Sequence, residues 1–168
     1  MSFQLTHISM SKGLRMRSLI IYDSVFGNTK QIAEAISQAL GTKTIPVNEA
    51  NLTLLEDVGL LVVGSPTRGF RPTPAISQFL KSIPTGQLCT MHIAGFDTRI
   101  DVKTIKNKFF RFIVQKGGYA AHQIVRELVK KGGTQIGTAE GFFVDDREGP
   151  LTPGEIERAA TWAKSLLN

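Results

Sequence analysis

The fold of this chain is decided by one stretch, Ser18-Leu19-Ile20-Ile21-Tyr22-Asp23-Ser24-Val25-Phe26-Gly27-Asn28-Thr29, which leads into an amphipathic segment from Lys30 to Leu40. Residues 19–22 form a short, continuously apolar run, as expected of a strand that is covered on both faces. Gly41 ends the helical pattern that follows. The stretch therefore predicts a β-strand, a tight polar loop and an α-helix.

The predicted loop has the properties of an anion-binding site. Free backbone N–H groups and the positive end of a helix dipole meet where a strand passes through a loop into a helix. The hydroxyls of Ser24 and Thr29 and the side-chain amide of Asn28 lie beside them in sequence. Phosphate is the anion that best uses these three kinds of donor, so we predict a phosphate site here.

Composition and charge set limits on the class of protein. The 168 residues, 42% of them hydrophobic, are enough for one domain with a proper core. No apolar run approaches the ~18 residues of a spanning helix. The single cysteine, Cys89, excludes an internal disulfide and favours the cytoplasm. The net charge of +6 would suit an acidic partner, nucleic acid or an anionic membrane, and charge alone does not choose among them.

Residues 1–16 precede the first strand and lack the continuous apolar core of a signal peptide. We interpret them as a flexible N-terminal extension, or as the result of a start site placed too early, with Met16 the preferred start. A docking tail is the remaining alternative. Residues 17–168 are predicted to form the domain.

Strands and helices alternate along the rest of the chain. Strands are predicted at residues 43–47, 58–64, 87–96 and 134–144, the first of them at an edge of the sheet. Helices are predicted at residues 51–57, 74–83, 102–116 and 119–131, and a last helix opens with the capping box Thr152-Pro153-Gly154-Glu155. That last helix is predicted to bury Ile156, Ala159, Ala160, Ala163 and Leu167.

Such alternation predicts an α/β three-layer sandwich around a five-stranded parallel sheet. Its most frequent strand order is 2-1-3-4-5, in which ligands bind at the carboxyl ends of the strands, between strands 1 and 3. The rule brings together the loops at residues 24–29, 65–71 and 97–99, all of them polar.

Several functions that use similar sheets are excluded or disfavoured. A phosphoacceptor receiver needs an aspartate after strand 3, where this chain has Gly64-Ser65. A cysteine phosphatase needs a cysteine in the first loop, whereas Cys89 falls in a predicted strand. Phe70-Arg71 stands where a P-loop needs Lys-Ser/Thr, and no G-x-G-x-x-G follows strand 1.

Metal binding has no support in the sequence. The histidines have no ligand spacing among themselves or with Cys89, so we expect no metal. Residues 145–148, Asp-Asp-Arg-Glu, are interpreted as a solvated turn.

From Arg17 to Asn168 the chain resembles the flavodoxin-like family. Residues 24–29 are similar to the FMN phosphate loop of that family, Ser/Thr-x-Thr-Gly-x-Thr, with Phe26 in the place of a threonine. Residues 65–70 are similar to the second flavin loop, and residues 97–99 occupy the third. The resemblance implies that FMN is bound by residues of all three loops: Ser24, Phe26, Gly27, Asn28, Thr29, Ser65, Pro66, Thr67, Arg68, Gly69, Phe70, Asp97, Thr98 and Arg99.

Each loop has an implied role. The first would hold the phosphate, the second would line the ribityl chain and the isoalloxazine ring, and Asp97 and Arg99 would approach the pyrimidine edge. The Arg68-Gly69 peptide would face flavin N5, because glycine permits the rotation that is required. The alternative is that Ser24 and Thr29 only cap a helix and the glycines only form turns.

Two departures from the family pattern bear on function. Phe70 is available to stack on the ring, but the third loop offers no aromatic residue beyond Phe96. Typical members are acidic, whereas Arg68, Arg71 and Arg99 would surround the flavin here. Positive charge stabilises the anionic reduced flavin, so we predict a reduction potential less negative than that of an acidic flavodoxin.

The resemblance implies an FMN-binding electron-transfer protein of the cytoplasm with a redox partner protein, which the basic charge predicts to be acidic. No catalytic residue is required for that role. An FMN-dependent NAD(P)H:acceptor oxidoreductase, of the quinone-reducing type, is the second hypothesis. The third is a flavin-free module whose basic segment 102–116 contacts nucleic acid or membrane, although no aromatic-interleaved signature supports it. The sequence leaves the oligomeric state open.

Overall fold

The computed structural model describes residues 16–101, 103, 106–109, 111–112 and 118–168. The predicted extension at 1–16 lies outside them except for Met16, and the predicted helix at 102–116 falls largely outside them. The strands are β1 (Ser18–Tyr22), β2 (Lys43–Pro46), β3 (Leu60–Pro66), β4 (His92–Ile100), β5 (Thr134–Gln135) and β6 (Glu140–Val144). The α-helices are α1 (Asn28–Leu40), α2 (Pro74–Ser82), α3 (Ala120–Lys130) and α4 (Glu155–Ser165), with two short 3₁₀ segments at Val47–Glu49 and Leu52–Leu55.

The strands form a parallel sheet of order β2-β1-β3-β4-β5, which confirms the predicted order. β4 pairs with β5 at its beginning and with β6 at its end. β5 and β6 therefore act as one interrupted fifth strand, within the residues 134–144 that were predicted as a single strand. The carboxyl ends of β1, β3 and β4 lie side by side.

The sheet is covered on both faces, because its strands alternate between two cores. Leu19 and Ile21 of β1 face the core beneath α2 and α3, and Ile20 and Tyr22 face the core beneath α1 and α4. In the second core, Trp162 packs edge-to-face against Phe96 and Phe142 at centroid distances of 6.2 and 6.1 Å. This arrangement confirms the three-layer sandwich.

Strand β4 differs from its predicted bounds. It begins at His92 because the residues before it form a turn, in which Gln87 N–H donates to Pro84 O and Met91 N–H donates to Leu88 O. Cys89 lies in that turn and is exposed, so its prediction as a strand residue is wrong. The strand then continues to Ile100, because β6 provides a hydrogen-bonding partner for residues 96–100. Residues 97–99 are therefore strand rather than loop.

The predicted capping box of α4 is wrong. The N-cap is Gly154, with φ 92°, and no side chain caps the helix. The Thr152 hydroxyl donates instead to Asp145 Oδ1 at 2.7 Å, and the Glu155 carboxylate accepts the Phe143 N–H at 2.6 Å. The buried face also differs from the prediction, because Ile156 and Leu167 are 39% and 53% exposed.

One smaller difference concerns the end of β3. β3 runs to Pro66, so Ser65 and Pro66 belong to the strand and not to the loop after it.

Within the described ranges, no helix has both the length and the apolar character needed to cross a membrane.

Candidate functional site

A cleft of about 390 Å³ opens at the carboxyl ends of β1, β3 and β4, where the strand order reverses. Its lining includes nine of the residues predicted to contact the cofactor: Phe26, Asn28, Thr29, Pro66, Thr67, Arg68, Gly69, Thr98 and Arg99. Four further lining residues were not predicted: Val25, Ile100, Val144 and Arg147. The structure places the other five predicted residues behind the lining or beside it: Ser24, Gly27, Ser65, Phe70 and Asp97.

The first loop turns into α1 at Gly27, whose φ of 89° favours glycine. The Ser24 hydroxyl oxygen accepts the Lys30 N–H at 3.2 Å, so it does cap the helix. A hydroxyl that accepts one hydrogen bond still has its own proton to donate. Helix capping and ligand binding are therefore compatible at Ser24.

Thr29 joins the first loop to β4. Its hydroxyl lies 2.8 Å from the Thr98 hydroxyl, and the two side chains are almost fully buried at the floor of the cleft. One proton serves the bond between them, and the other hydroxyl proton can be directed to a ligand. The pair thus offers one donor to the cleft in a fixed position.

The segment after β6 closes the same end of the cleft. Asn28 Nδ2 donates to Glu148 O at 3.0 Å. A Cβ at Gly149 would lie 2.6 Å from Asn28 Oδ1, so only glycine permits this close approach. The contact brings Arg147 into the lining of the cleft. Sequence reasoning missed this arginine, although it follows the carboxyl end of a parallel strand like the other loops.

The second loop is a tight two-residue turn. Arg68 and Arg71 exchange backbone hydrogen bonds of 2.8 and 3.1 Å, and Gly69 and Phe70 between them have φ values of 54° and 66°. Two consecutive positive φ values are typical of a type I′ turn, which a phenylalanine adopts only at a cost. The Phe70 carbonyl accepts Gln123 Nε2–H at 2.6 Å, and Phe70 lines a second groove between α2 and α3 rather than the cleft.

Ser65 and Thr67 are also used inside the protein. The fully buried Ser65 hydroxyl accepts the Thr73 N–H at 3.0 Å and lies 2.9 Å from Pro66 O. The Thr67 hydroxyl accepts the Ala120 N–H at 3.2 Å and so ties the loop to α3. These contacts fix the second loop against both neighbouring helices.

Asp97 and Arg99 form a buried ion pair on one face of β4. Arg99 Nε and Nη2 donate to the two Asp97 oxygens at 2.6 and 2.8 Å, and the Ala121 N–H also donates to Asp97 at 2.8 Å. Burial raises the pKa of Asp97 from its ordinary value, while Arg99, the Ala121 N–H and the Thr67 hydroxyl act to lower it. The positive charge of Arg99 is therefore compensated within the protein.

Two neighbours hold Arg99 in place. Its guanidinium lies over the Tyr119 ring, 3.6 Å from the centroid, and burial raises the pKa of that tyrosine. On the other side is Gly141 of β6, where a Cβ would lie 2.1 Å from the guanidinium carbon. Arg99 thus lies across the fifth strand in space that only glycine leaves open.

The cleft has a positive electrostatic character. Its lining contains Arg68, Arg99 and Arg147, and none of its described residues is acidic. Arg68 lies over the Phe26 ring at 5.7 Å, and Phe26 is 43% exposed. With Arg99 neutralised by Asp97, Arg68 and Arg147 are the arginines whose charge can act on a ligand.

The family model and the solved structures that match this chain agree with each other. The family model described as "Flavodoxin domain" matches residues 19–137. The protein is similar in structure to a flavodoxin from the domain Archaea, with TM-score 0.67, 19% identity, and coverage of 90% of this chain and 96% of that one. It is also similar to oxidised Flavodoxin 1 from Bacillus cereus, with TM-score 0.66, 16% identity, and coverage of 90% and 97%.

A third similar structure is the rubredoxin oxygen:oxidoreductase of Desulfovibrio gigas, with TM-score 0.66 and 18% identity. The match covers 89% of this chain but 35% of that one. None of the curated protein sequences searched matches the chain. At these identities, the structural likenesses show the fold alone.

Proposed function

The chain belongs to the flavodoxin family, and on that premise we propose that it binds FMN in the cleft and carries electrons between redox partners. The observation that carries the proposal is the cleft itself. It lies at the point where the strand order reverses, the N-terminus of α1 opens into it, and its described lining has three arginines and no carboxylate.

The donors at one end of the cleft fit a phosphate group. They are the backbone N–H groups at the start of α1, the Asn28 side chain, the hydroxyl pair of Thr29 and Thr98, and Arg147. Anions are stabilised at such helix ends by oriented N–H groups and by the helix dipole. A hydroxyl donor in a fixed position adds direction, and an arginine adds charge.

The other end of the cleft fits a flat, partly apolar ring system. Pro66, Thr67 and Gly69 come from the second loop, and Val25 and Ile100 add apolar surface. When bound, FMN supplies the redox chemistry, because it accepts and releases electrons. This chain's own residues bind and orient it, and Arg68 contributes positive charge beside it.

A titration with FMN tests the proposal. The protein is purified, stripped of small molecules and titrated with FMN, and binding is followed by the quenching of flavin fluorescence. We expect saturable binding with one FMN per chain. Protein that is folded by circular dichroism but leaves FMN fluorescence unquenched would overturn the proposal.

A matched pair of variants places the binding in the cleft. Thr98→Val removes one hydroxyl of the buried pair and should weaken FMN binding by up to about tenfold. Thr161→Ala removes an exposed hydroxyl on α4 and should leave the affinity unchanged. Equal affinities for the two variants would contradict this assignment.

One observation favours the oxidoreductase as a second candidate. Phe70 does not line the cleft, so the second loop provides no aromatic wall for the flavin ring. An uncovered ring face would admit a nicotinamide, and Arg68 would attract its phosphates. Rapid anaerobic bleaching of the FMN-loaded protein by NADPH alone would support this activity. Bleaching that needs an added reductase would support the electron carrier. For that carrier we also propose a cytoplasmic location and an acidic redox partner.

A further inference from the structure

A second groove, of about 580 Å³, lies between α2 and α3 on the side of the second loop away from the cleft. We call it the basic groove. Its apolar part includes Phe70, Pro72 and the buried Leu80. The hydrogen bond from Gln123 Nε2 to Phe70 O joins α3 to the second loop along one side of the groove. The groove is thus a preformed feature with an apolar base.

Positive charge surrounds this base. Arg71, Lys81, Arg126 and Lys130 line the groove, and all four are exposed. Among the described residues that line the groove, one is acidic, Glu127. Its Oε1 already lies 2.6 Å from Lys130 Nζ in an ion pair. Within the described part of the chain, the lining therefore keeps an excess of positive charge that no carboxylate of the groove offsets.

The exposed arginines and lysines lie outside the two cores, and like charges that face one groove repel each other. A negatively charged partner would relieve this repulsion. An apolar base with a basic rim is suited to a peptide segment that has carboxylates and some apolar side chains.

The groove and the cleft lie on opposite sides of the same turn. Gly69 lines both, and the next residue, Phe70, lines the groove. A protein segment that lies in the groove would therefore touch the turn that forms one wall of the candidate flavin site. Such closeness is what electron transfer between two proteins needs.

We propose that the basic groove is the docking surface for a carboxylate-rich segment of the redox partner. This proposal rests on the proposed electron-transfer function and adds to it the place and the chemistry of the contact. Along α3, the distance from Gln123 to Lys130 is about 10 Å, which corresponds to about three residues of extended peptide. The contact is accordingly small, transient and sensitive to salt.

The experiment uses a fluorescein-labelled deca-glutamate peptide as the probe, with the full-length protein both FMN-loaded and FMN-free. Anisotropy is recorded at low and at high ionic strength. A labelled single-stranded DNA decamer is the second arm. We expect the peptide to bind at low salt, more tightly than the DNA, and to be released at high salt.

Two double variants with the same change in charge give the decisive comparison. Lys81→Glu with Arg126→Glu alters the groove, and Lys43→Glu with Lys164→Glu alters exposed positions on β2 and α4. We expect the groove variant to lose at least about tenfold in peptide affinity and the control to lose less than about threefold. Amide NMR signals of Gly69 and Phe70 should shift on addition of peptide to the wild type.

Several outcomes would overturn the proposal. They are equal losses in the two double variants, tighter binding of the DNA than of the peptide, or no binding of the peptide at all. Circular dichroism checks that the variants fold, and the single variant Arg126→Gln repeats the test with a smaller change. FMN affinity is measured on the same samples. If the wild-type protein binds FMN but not the peptide, the docking site alone is refuted, and an absence of FMN binding refutes the proposed function.

Discussion

The buried ion pair of Asp97 and Arg99 permits the sharpest prediction of stability. The Asp97 side chain is 0% exposed and that of Arg99 is 11% exposed, and Nε lies 2.6 Å from Oδ1. Asp97→Asn keeps the shape of the side chain but removes its charge and leaves one oxygen where two accepted hydrogen bonds. Arg99 would then be a buried charge without compensation.

The magnitude follows from the burial. Breaking a buried pair by removing one partner costs about 3–5 kcal/mol, most of it because a charge is left unpaired. For a chain of 150–250 residues, each kcal/mol lowers the melting temperature by about 2–4 °C, so Asp97→Asn should lower it by roughly 6–20 °C. Arg99→Gln should cost a similar amount. The double variant should cost clearly less than the sum, because it leaves no unpaired charge.

These costs are measured as changes in the free energy of unfolding by urea, for the wild type, both single variants and the double variant. The control is Glu127→Gln, which breaks the pair with Lys130 at the same N–O distance of 2.6 Å, where the side chains are 39% and 65% exposed. Solvent screens that pair, so its loss should cost at most about 1 kcal/mol. The reasoning would be refuted if the single variants lost no more free energy of unfolding than the control. It would also be refuted if the losses of the two single variants simply added in the double variant.

Three further predictions concern the cleft and the pH dependence of stability. Arg147→Gln should weaken FMN binding by about tenfold and leave riboflavin binding unchanged in fluorescence titrations, because the charge acts on the phosphate. Arg68→Gln should make the potential of the one-electron step that yields the fully reduced flavin more negative by about 40 mV in a redox titration, for an electrostatic effect on the order of 1 kcal/mol. Burial by itself would raise the pKa of Glu155, but hydrogen bonds from Arg158 and from the Phe143 N–H hold it below its ordinary value of 4.5. The resulting stabilisation is fully present above the ordinary pKa of 4.5 and is lost as pH falls through the lower pKa of the folded state. Over this pH range, Glu155→Gln should therefore lose less free energy of unfolding than the wild type, as measured by acid unfolding.

The parts of the fold that depend on local signals could be predicted from the sequence. The apolar run of β1, the polar loop and the amphipathic α1 lie next to each other in the chain, and Thr73 with Pro74 marks the start of α2 as predicted. The alternation of strands and helices then restricts the sheet to few topologies. The strand order follows without knowledge of any contact.

The parts that depend on distant contacts could not be predicted. β4 extends through residues 97–99 because β6 pairs with it, and nothing near Asp97 indicates this pairing. The start of α4 is at Gly154 because Glu155 is engaged by Phe143 and Arg158 instead of the helix end. Residues 145–148 form the exposed turn that the sequence predicted. Its position at the cleft could not be predicted, because it depends on a hydrogen bond between residues 120 positions apart.

The role of the arginines changes once their neighbours are known. The sequence places Arg68, Arg71 and Arg99 near the flavin, with surface solvation as the alternative, favoured more for Arg71 than for the other two. In the structure, Asp97 neutralises Arg99, Arg71 lines the basic groove, and Arg68 remains at the cleft. The prediction of a less negative potential therefore depends on Arg68, with Arg147 at the phosphate end.

The contact between Asn28 and the Glu148 carbonyl has a consequence for cofactor binding during synthesis of the protein. A ribosome adds Glu148, whose carbonyl fixes the Asn28 side chain, 120 residues after Asn28 itself. A nascent chain held before that point has the first loop without its closing segment. Loading with cofactor is accordingly expected only after Glu148 has been synthesised, and ribosome-bound intermediates that stop short of Glu148 should fail to retain it.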